Sequence, residues 1–140
     1  IEKAKAFDQY LSVLPESRIA VAHGVSAMHD VTEGGIFGAL WEMAEASDIG
    51  LEIFLKKIPV KQETIEICEF FGINPYELIS SGCMLIAAKD GTGLVHELEK
   101  AGIYAVLIGK ATKGKDRLLF NEEEKRFLEP PKADELYKVI

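Results

Sequence analysis

Residues 25–47 read Val-Ser-Ala-Met-His-Asp-Val-Thr-Glu-Gly-Gly-Ile-Phe-Gly-Ala-Leu-Trp-Glu-Met-Ala-Glu-Ala-Ser. The first five suit a short strand, and the strand runs into a turn at Asp30. From Glu33 the pattern changes period. Ile36, Phe37, Leu40, Trp41 and Ala44 recur at helical spacing, while Glu42, Glu45 and Asp48 lie off that face. A strand, a glycine turn and a strongly amphipathic helix over residues 33–47 are therefore expected, with Gly50 as the helix stop.

The turn carries the chemistry. Gly34 and Gly35 fall in the first helical turn on this reading, where each costs about 1 kcal/mol relative to alanine. Asp30 or Thr32 can cap the helix through its side-chain oxygen. Without side chains at 34 and 35, the first helical N–H groups are bare. They carry the positive end of the helix dipole and can approach a phosphate closely. Asp30 and Glu33 would repel that phosphate unless a cation lies between. Mg²⁺ suits this role, because it is usually held by one or two carboxylates plus phosphate oxygens. The alternative is that the glycines only permit close packing of the helix. Neither a phosphate-loop signature nor G-x-G-x-x-G is present.

Outward from the turn, residues 2–14 have helical spacing that Pro15 ends, and residues 16–24 fit either a helix or a strand. Residues 51–55 alternate as a strand, and residues 60–71 form a helix stopped by Gly72. Asn74-Pro75-Tyr76-Glu77 has the capping signals of a short helix. Residues 83–88 are continuously apolar, as in a central strand covered on both faces. Asp90-Gly91-Thr92-Gly93 opens a helix over 92–101, with Thr92 as the expected cap. Strands are expected at 104–108 and 117–120, and the tail holds Pro130-Pro131 and a short amphipathic segment. The result is one α+β domain over residues 1–140, a mixed β-sheet with helices packed on it.

Composition narrows the functions. A net charge of -7 argues against a nucleic-acid partner. No apolar run reaches the roughly 18 residues of a membrane span. Cys68 and Cys83 both lie in apolar runs, which fits buried thiols in a cytoplasmic protein, and no zinc spacing occurs. His23 and His29 are poorly spaced for a metal. His29 suits either an acid/base role beside Asp30 or a hydrogen-bonded structural role, and His96 falls on an outer helix face. Ser80-Ser81-Gly82 lacks the surroundings of a serine nucleophile, and Lys113 and Lys115 read as solvated charges.

The run Ala27–Gly35, continued by Ala39–Ala44, resembles the signature of the carboxy-terminal domain of the aminoimidazole ribonucleotide synthetase superfamily. Ile58-Pro59-Val60, Cys68-Glu69, Gly72-Ile73-Asn74-Pro75, Ser81-Gly82 and Gly109-Lys110 follow in the family's order, so the resemblance covers residues 20–135. That superfamily includes selenophosphate synthetase, thiamine monophosphate kinase and a hydrogenase-maturation branch, to which this sequence is most similar.

The resemblance implies an ATP- and Mg²⁺-dependent enzyme that activates an oxygen by phosphorylation. Asp30 is the implied catalytic residue, with Thr32, Gly34 and Gly35 at the nucleotide phosphates and Asp30 and Glu33 at the metal. It also implies a preceding ATP-binding domain that forms a homodimer, and hydrogenase-maturation proteins as partners. Alone, this domain is expected to be inactive. A non-catalytic domain for small anions or for assembly is the alternative. Members of the hydrogenase-maturation branch end in a cysteine that carries the group being dehydrated. Here the chain ends Leu136-Tyr137-Lys138-Val139-Ile140 with no cysteine after Cys83, which fits a truncated chain or a paralogue and leaves the substrate open.

Overall fold

The computed structural model describes residues 1–140. Six strands and five α-helices alternate along the chain in an α+β arrangement. The sequence supports one mixed sheet, but the strands divide between two. β1 (Ala27–Asp30) pairs antiparallel with β3 (Met84–Ala87), with Asp30 opposite Met84. The second sheet has the order β4-β2-β5-β6 and comprises β2 (Gly50–Phe54), β4 (Gly109–Thr112), β5 (Arg117–Asn121) and β6 (Glu124–Phe127). β2 and β5 run parallel, and the other pairings are antiparallel.

Helix α3 (Gly35–Ser47) bridges the two sheets. Phe37, Leu40 and Met43 from its inner face pack with Val31, Leu51, Ile53, Leu85 and Leu119 in one core of 12 buried residues. Burying each such large side chain stabilises the fold by about 1.5–3 kcal/mol. The smaller core joins Ala20 of α2 (Leu14–His23) to Leu94 and Leu98 of α5 (Gly91–Lys100), with Ile86 and Ala88 packed against it. The β1–β3 ribbon thus lies between the two cores. α4 (Gln62–Phe71) buries Cys68 and ends at left-handed Gly72.

Several sequence expectations are corrected. The first helix is only α1 (Glu2–Lys5) followed by a 3-10 turn over Ala6–Tyr10. Pro15 does not end a helix. It occupies the first turn of α2, where its missing N–H costs nothing, and this settles residues 16–24 as helical. α3 stops at Asp48, whose φ is 52°, rather than at Gly50. Gly50 lies instead in β2, where a Cβ would fall 2.6 Å from the Asp116 carbonyl oxygen.

Residues 74–78 make a turn but no helix. Asn74 Oδ1 accepts the Tyr76 N–H at 3.0 Å as a cap should, but the Tyr76 carbonyl serves Phe37 N–H at 3.0 Å. The backbone there is recruited to α3 and cannot build a helix of its own. Asp90, not Thr92, caps α5, accepting the Gly93 N–H at 2.9 Å. β3 is covered on both faces but pairs only with β1, so it is not central. Residues 104–108 form no strand. Ile103 and Ala105 pack inward, and of residues 104–108 only the Ile108 carbonyl reaches a strand, accepting the Phe54 N–H of β2 at 2.9 Å. Cys83 is exposed, since the apolar run turns inward only after it.

Candidate functional site: the Asp30–Gly35 turn

β1 delivers Asp30 at its end, and the backbone beyond is held at each step. The carbonyl of Asp30 lies 2.6 Å from His29 Nδ1, and the N–H of Val31 donates to the Cys83 carbonyl at 2.9 Å. The Thr32 carbonyl accepts from Gly35 N–H and Ser80 N–H, both at 3.1 Å. Gly34 N–H donates to Asp134 Oδ2 at 2.6 Å. Val31 is 1% exposed and anchors the turn in the main core. Asp30, Thr32 and Glu33 point out from this fixed backbone and are exposed. Glu33 Oε1 accepts from the Tyr137 hydroxyl at 3.4 Å.

The glycines have structural reasons that the sequence alone leaves open. Gly34 is the N-cap of α3, with φ 80°, and Gly35, with φ 63°, is its first residue. Both lie in the region that L side chains rarely adopt. A Cβ on Gly35 would sit 2.5 Å from the Tyr76 carbonyl oxygen and 2.7 Å from that of Leu78. No side chain caps α3, so neither Asp30 nor Thr32 has the capping role their types suggest.

The carboxylate at the helix start comes from the tail. Asp134 is 3% exposed, and its Oδ1 also accepts from Ile79 N–H at 3.0 Å and Leu136 N–H at 2.8 Å. Glu135 follows, accepting the Asn74 N–H at 3.0 Å and pairing with Lys138. The ion pair with Lys138 and the Asn74 bond hold Glu135 below the ordinary carboxylate range. Sequence reading passes over both residues. The signal available was Asp134 as the cap of a short helix, here the 3-10 turn Glu135–Lys138.

His29 takes the structural option. Its Nε2 lies 2.6 Å from Glu42 Oε2 on α3. Partial burial lowers its pKa, but the Asp30 carbonyl bond and the Glu42 carboxylate outweigh burial and raise it above 6.5.

Asp30 and Glu33 both lie exposed on the turn, and no group of three or more His, Cys, Asp or Glu side chains is placed to hold an ion. Two exposed carboxylates fit Mg²⁺ that is completed by phosphate oxygens. No helix is long and apolar enough to cross a membrane.

Comparison with known proteins gives the turn its context. A putative hydrogenase expression/formation protein of Methanocaldococcus jannaschii is 40% identical over 93 residues, 64% of this chain and 28% of that protein. The crystal structure of Escherichia coli HypE, a hydrogenase maturation protein, superposes with a TM-score of 0.81 at 28% identity, covering 94% of this chain and 44% of that one. A HypE structure in complex with ATP matches at a TM-score of 0.68 and 20% identity over 78% of this chain and 36% of that one, a likeness of fold. The chain thus spans less than half the length of these proteins. The family described as AIR synthase related protein, C-terminal domain, matches residues 10–120, and this chain belongs to that family.

Proposed function

We propose that this chain is the carboxy-terminal part of a longer ATP-dependent enzyme of the hydrogenase-maturation type, and that its Asp30–Gly35 turn closes on a magnesium-bound phosphate. The observation that carries the reading is a backbone fixed from Asp30 to Gly34 that leaves the Asp30, Thr32 and Glu33 side chains exposed. Functional side chains held on a rigid scaffold are the arrangement that precise positioning needs. The family membership and the ATP-bound HypE structure support a nucleotide as the source of the phosphate.

In this reading Asp30 and Glu33 hold the cation, and the Thr32 hydroxyl donates to a phosphate oxygen. Bound Mg²⁺ supplies charge neutralisation at the transferring phosphate. Asp30 has the central role because it leaves the end of β1 from a backbone held on both sides. Gly34 and Gly35 serve by shaping the turn, since the Gly34 amide is taken by Asp134. A preceding ATP-binding domain would complete the site and form a homodimer in the cytoplasm. Other hydrogenase-maturation proteins are the proposed partners, and the domain alone is inactive. The overall reaction phosphorylates an oxygen of a substrate whose identity stays open.

A second reading has an observation of its own. Because Asp134 fills the amide position at the start of α3, the glycine turn also fits an assembly module without catalysis. The test is Mg²⁺-dependent ATP hydrolysis by the longer protein. Asp30→Asn is expected to lower turnover at least about tenfold, with the fold intact. Unchanged turnover would remove Asp30 from the mechanism and favour the assembly reading.

A further inference from the structure

Both ring nitrogens of His29 face oxygen acceptors. Nδ1 meets the Asp30 carbonyl oxygen at 2.6 Å, and Nε2 meets the Glu42 carboxylate at 2.6 Å. A carbonyl and a carboxylate only accept, so both ring nitrogens must carry hydrogen and donate. The ring therefore ties the last residue of β1 to the middle of α3.

The Asp30 carbonyl and the Val31 N–H belong to one peptide group. His29 holds its oxygen end, and the Cys83 carbonyl of the neighbouring chain segment holds its N–H end at 2.9 Å. A planar peptide group bonded at both ends cannot rotate without breaking one of the bonds. Its orientation sets the direction in which the chain leaves β1, and so where Asp30 and Glu33 project.

We propose that His29 is a positioning residue, a double-donor clamp between Asp30 and Glu42 that fixes how the turn presents the carboxylates of Asp30 and Glu33. Its consequence for turnover rests on the ATP-dependent reading above, whereas the clamp itself does not. Glutamine at position 29 cannot donate in two opposed directions from one planar ring. Arginine carries five N–H donors and no acceptor, so it can serve both partners.

Two measurements test this. The first is amide hydrogen exchange at Val31, followed by NMR. His29→Gln is expected to speed that exchange about tenfold, and His29→Arg to restore it. Glu42→Ala removes only the outer acceptor, from a side chain that is 56% exposed, and is expected to speed it as well. It keeps the test available if His29→Gln does not fold. The second is steady-state ATP turnover by the longer protein, where His29→Gln is expected to lower kcat about tenfold with KM for ATP near wild type, and His29→Arg to recover it. Unchanged Val31 exchange in the variants overturns the clamp. Faster exchange with unchanged kcat overturns the positioning role. A wild-type protein that does not turn over ATP overturns the functional reading instead, and the exchange data then decide the clamp.

Discussion

Asp134 accepts the backbone N–H of Gly34 at 2.6 Å across 100 positions of sequence, joining the tail to the start of α3. The same carboxylate takes the amides of Ile79 and Leu136, so one buried side chain holds three chain segments. Asp134→Ala leaves these donors without their acceptor, and hydrogen bonds to a charged group contribute more than neutral ones. The variant is expected to lose about 3 kcal/mol of stability, read from the urea midpoint. Asp134→Asn keeps one carbonyl acceptor and should lose roughly half as much. Equal midpoints for wild type and Asp134→Ala would show that the tail is not anchored there.

Gly35 and Gly72 share a positive φ but differ in surroundings. A Cβ at Gly72 meets nothing within 4 Å, whereas at Gly35 it meets two carbonyl oxygens closer than 3 Å. Gly72→Ala should cost about 1 kcal/mol, for backbone conformation alone. Gly35→Ala must also displace the 76–78 backbone, and about 3 kcal/mol or more is expected. Thermal unfolding of the two variants side by side checks the difference. Similar losses would mean that segment 76–78 yields freely.

His29 makes stability depend on pH. Its folded pKa is raised, so its contribution is fully present below the ordinary value of 6.5 and is lost as pH rises through the folded value. Wild type should therefore lose stability relative to His29→Gln on moving from slightly acidic to alkaline pH. Urea midpoints at a series of pH values, with an NMR titration of the ring, measure this. A difference that stays constant across the series would contradict the assignment.

Arg117 sits over the ring of the single tryptophan. Its guanidinium carbon is 4.3 Å from the centre of the Trp41 ring, and its Nη1 pairs with Glu45 at 2.7 Å. Lysine is a point charge that cannot stack in this way. Arg117→Lys should cost about 1 kcal/mol and change the Trp41 fluorescence, which reports this site alone. An unaltered emission spectrum would show that the stacking is not kept in solution.

Local pattern went far here because α3 is strongly periodic and glycines punctuate the chain. The 3.6-residue spacing around Phe37, Leu40 and Ala44 marks the helix, the break at Asp30 marks the end of β1, and both agree with the structure. Where the spacing was ambiguous, the backbone partners decided. Residues 74–78 have helix-capping chemistry, but the Tyr76 carbonyl is spent on Phe37. Residues 104–108 are continuously apolar, as a strand can be, but only the Ile108 carbonyl bonds to the β2 edge.

The sequence by itself determined the family pattern, the α+β class and the exposed acids of the turn, because these depend on residue type and short-range spacing. Only the tertiary structure decided what the two glycines are for and what fills the start of α3. Both answers rest on residues distant in sequence, Tyr76 and Leu78 for the close approach and Asp134 for the amide. A hydrogen bond across 100 residues has no periodicity and leaves no trace in local composition. It exists only once the two cores have brought the tail back against the turn.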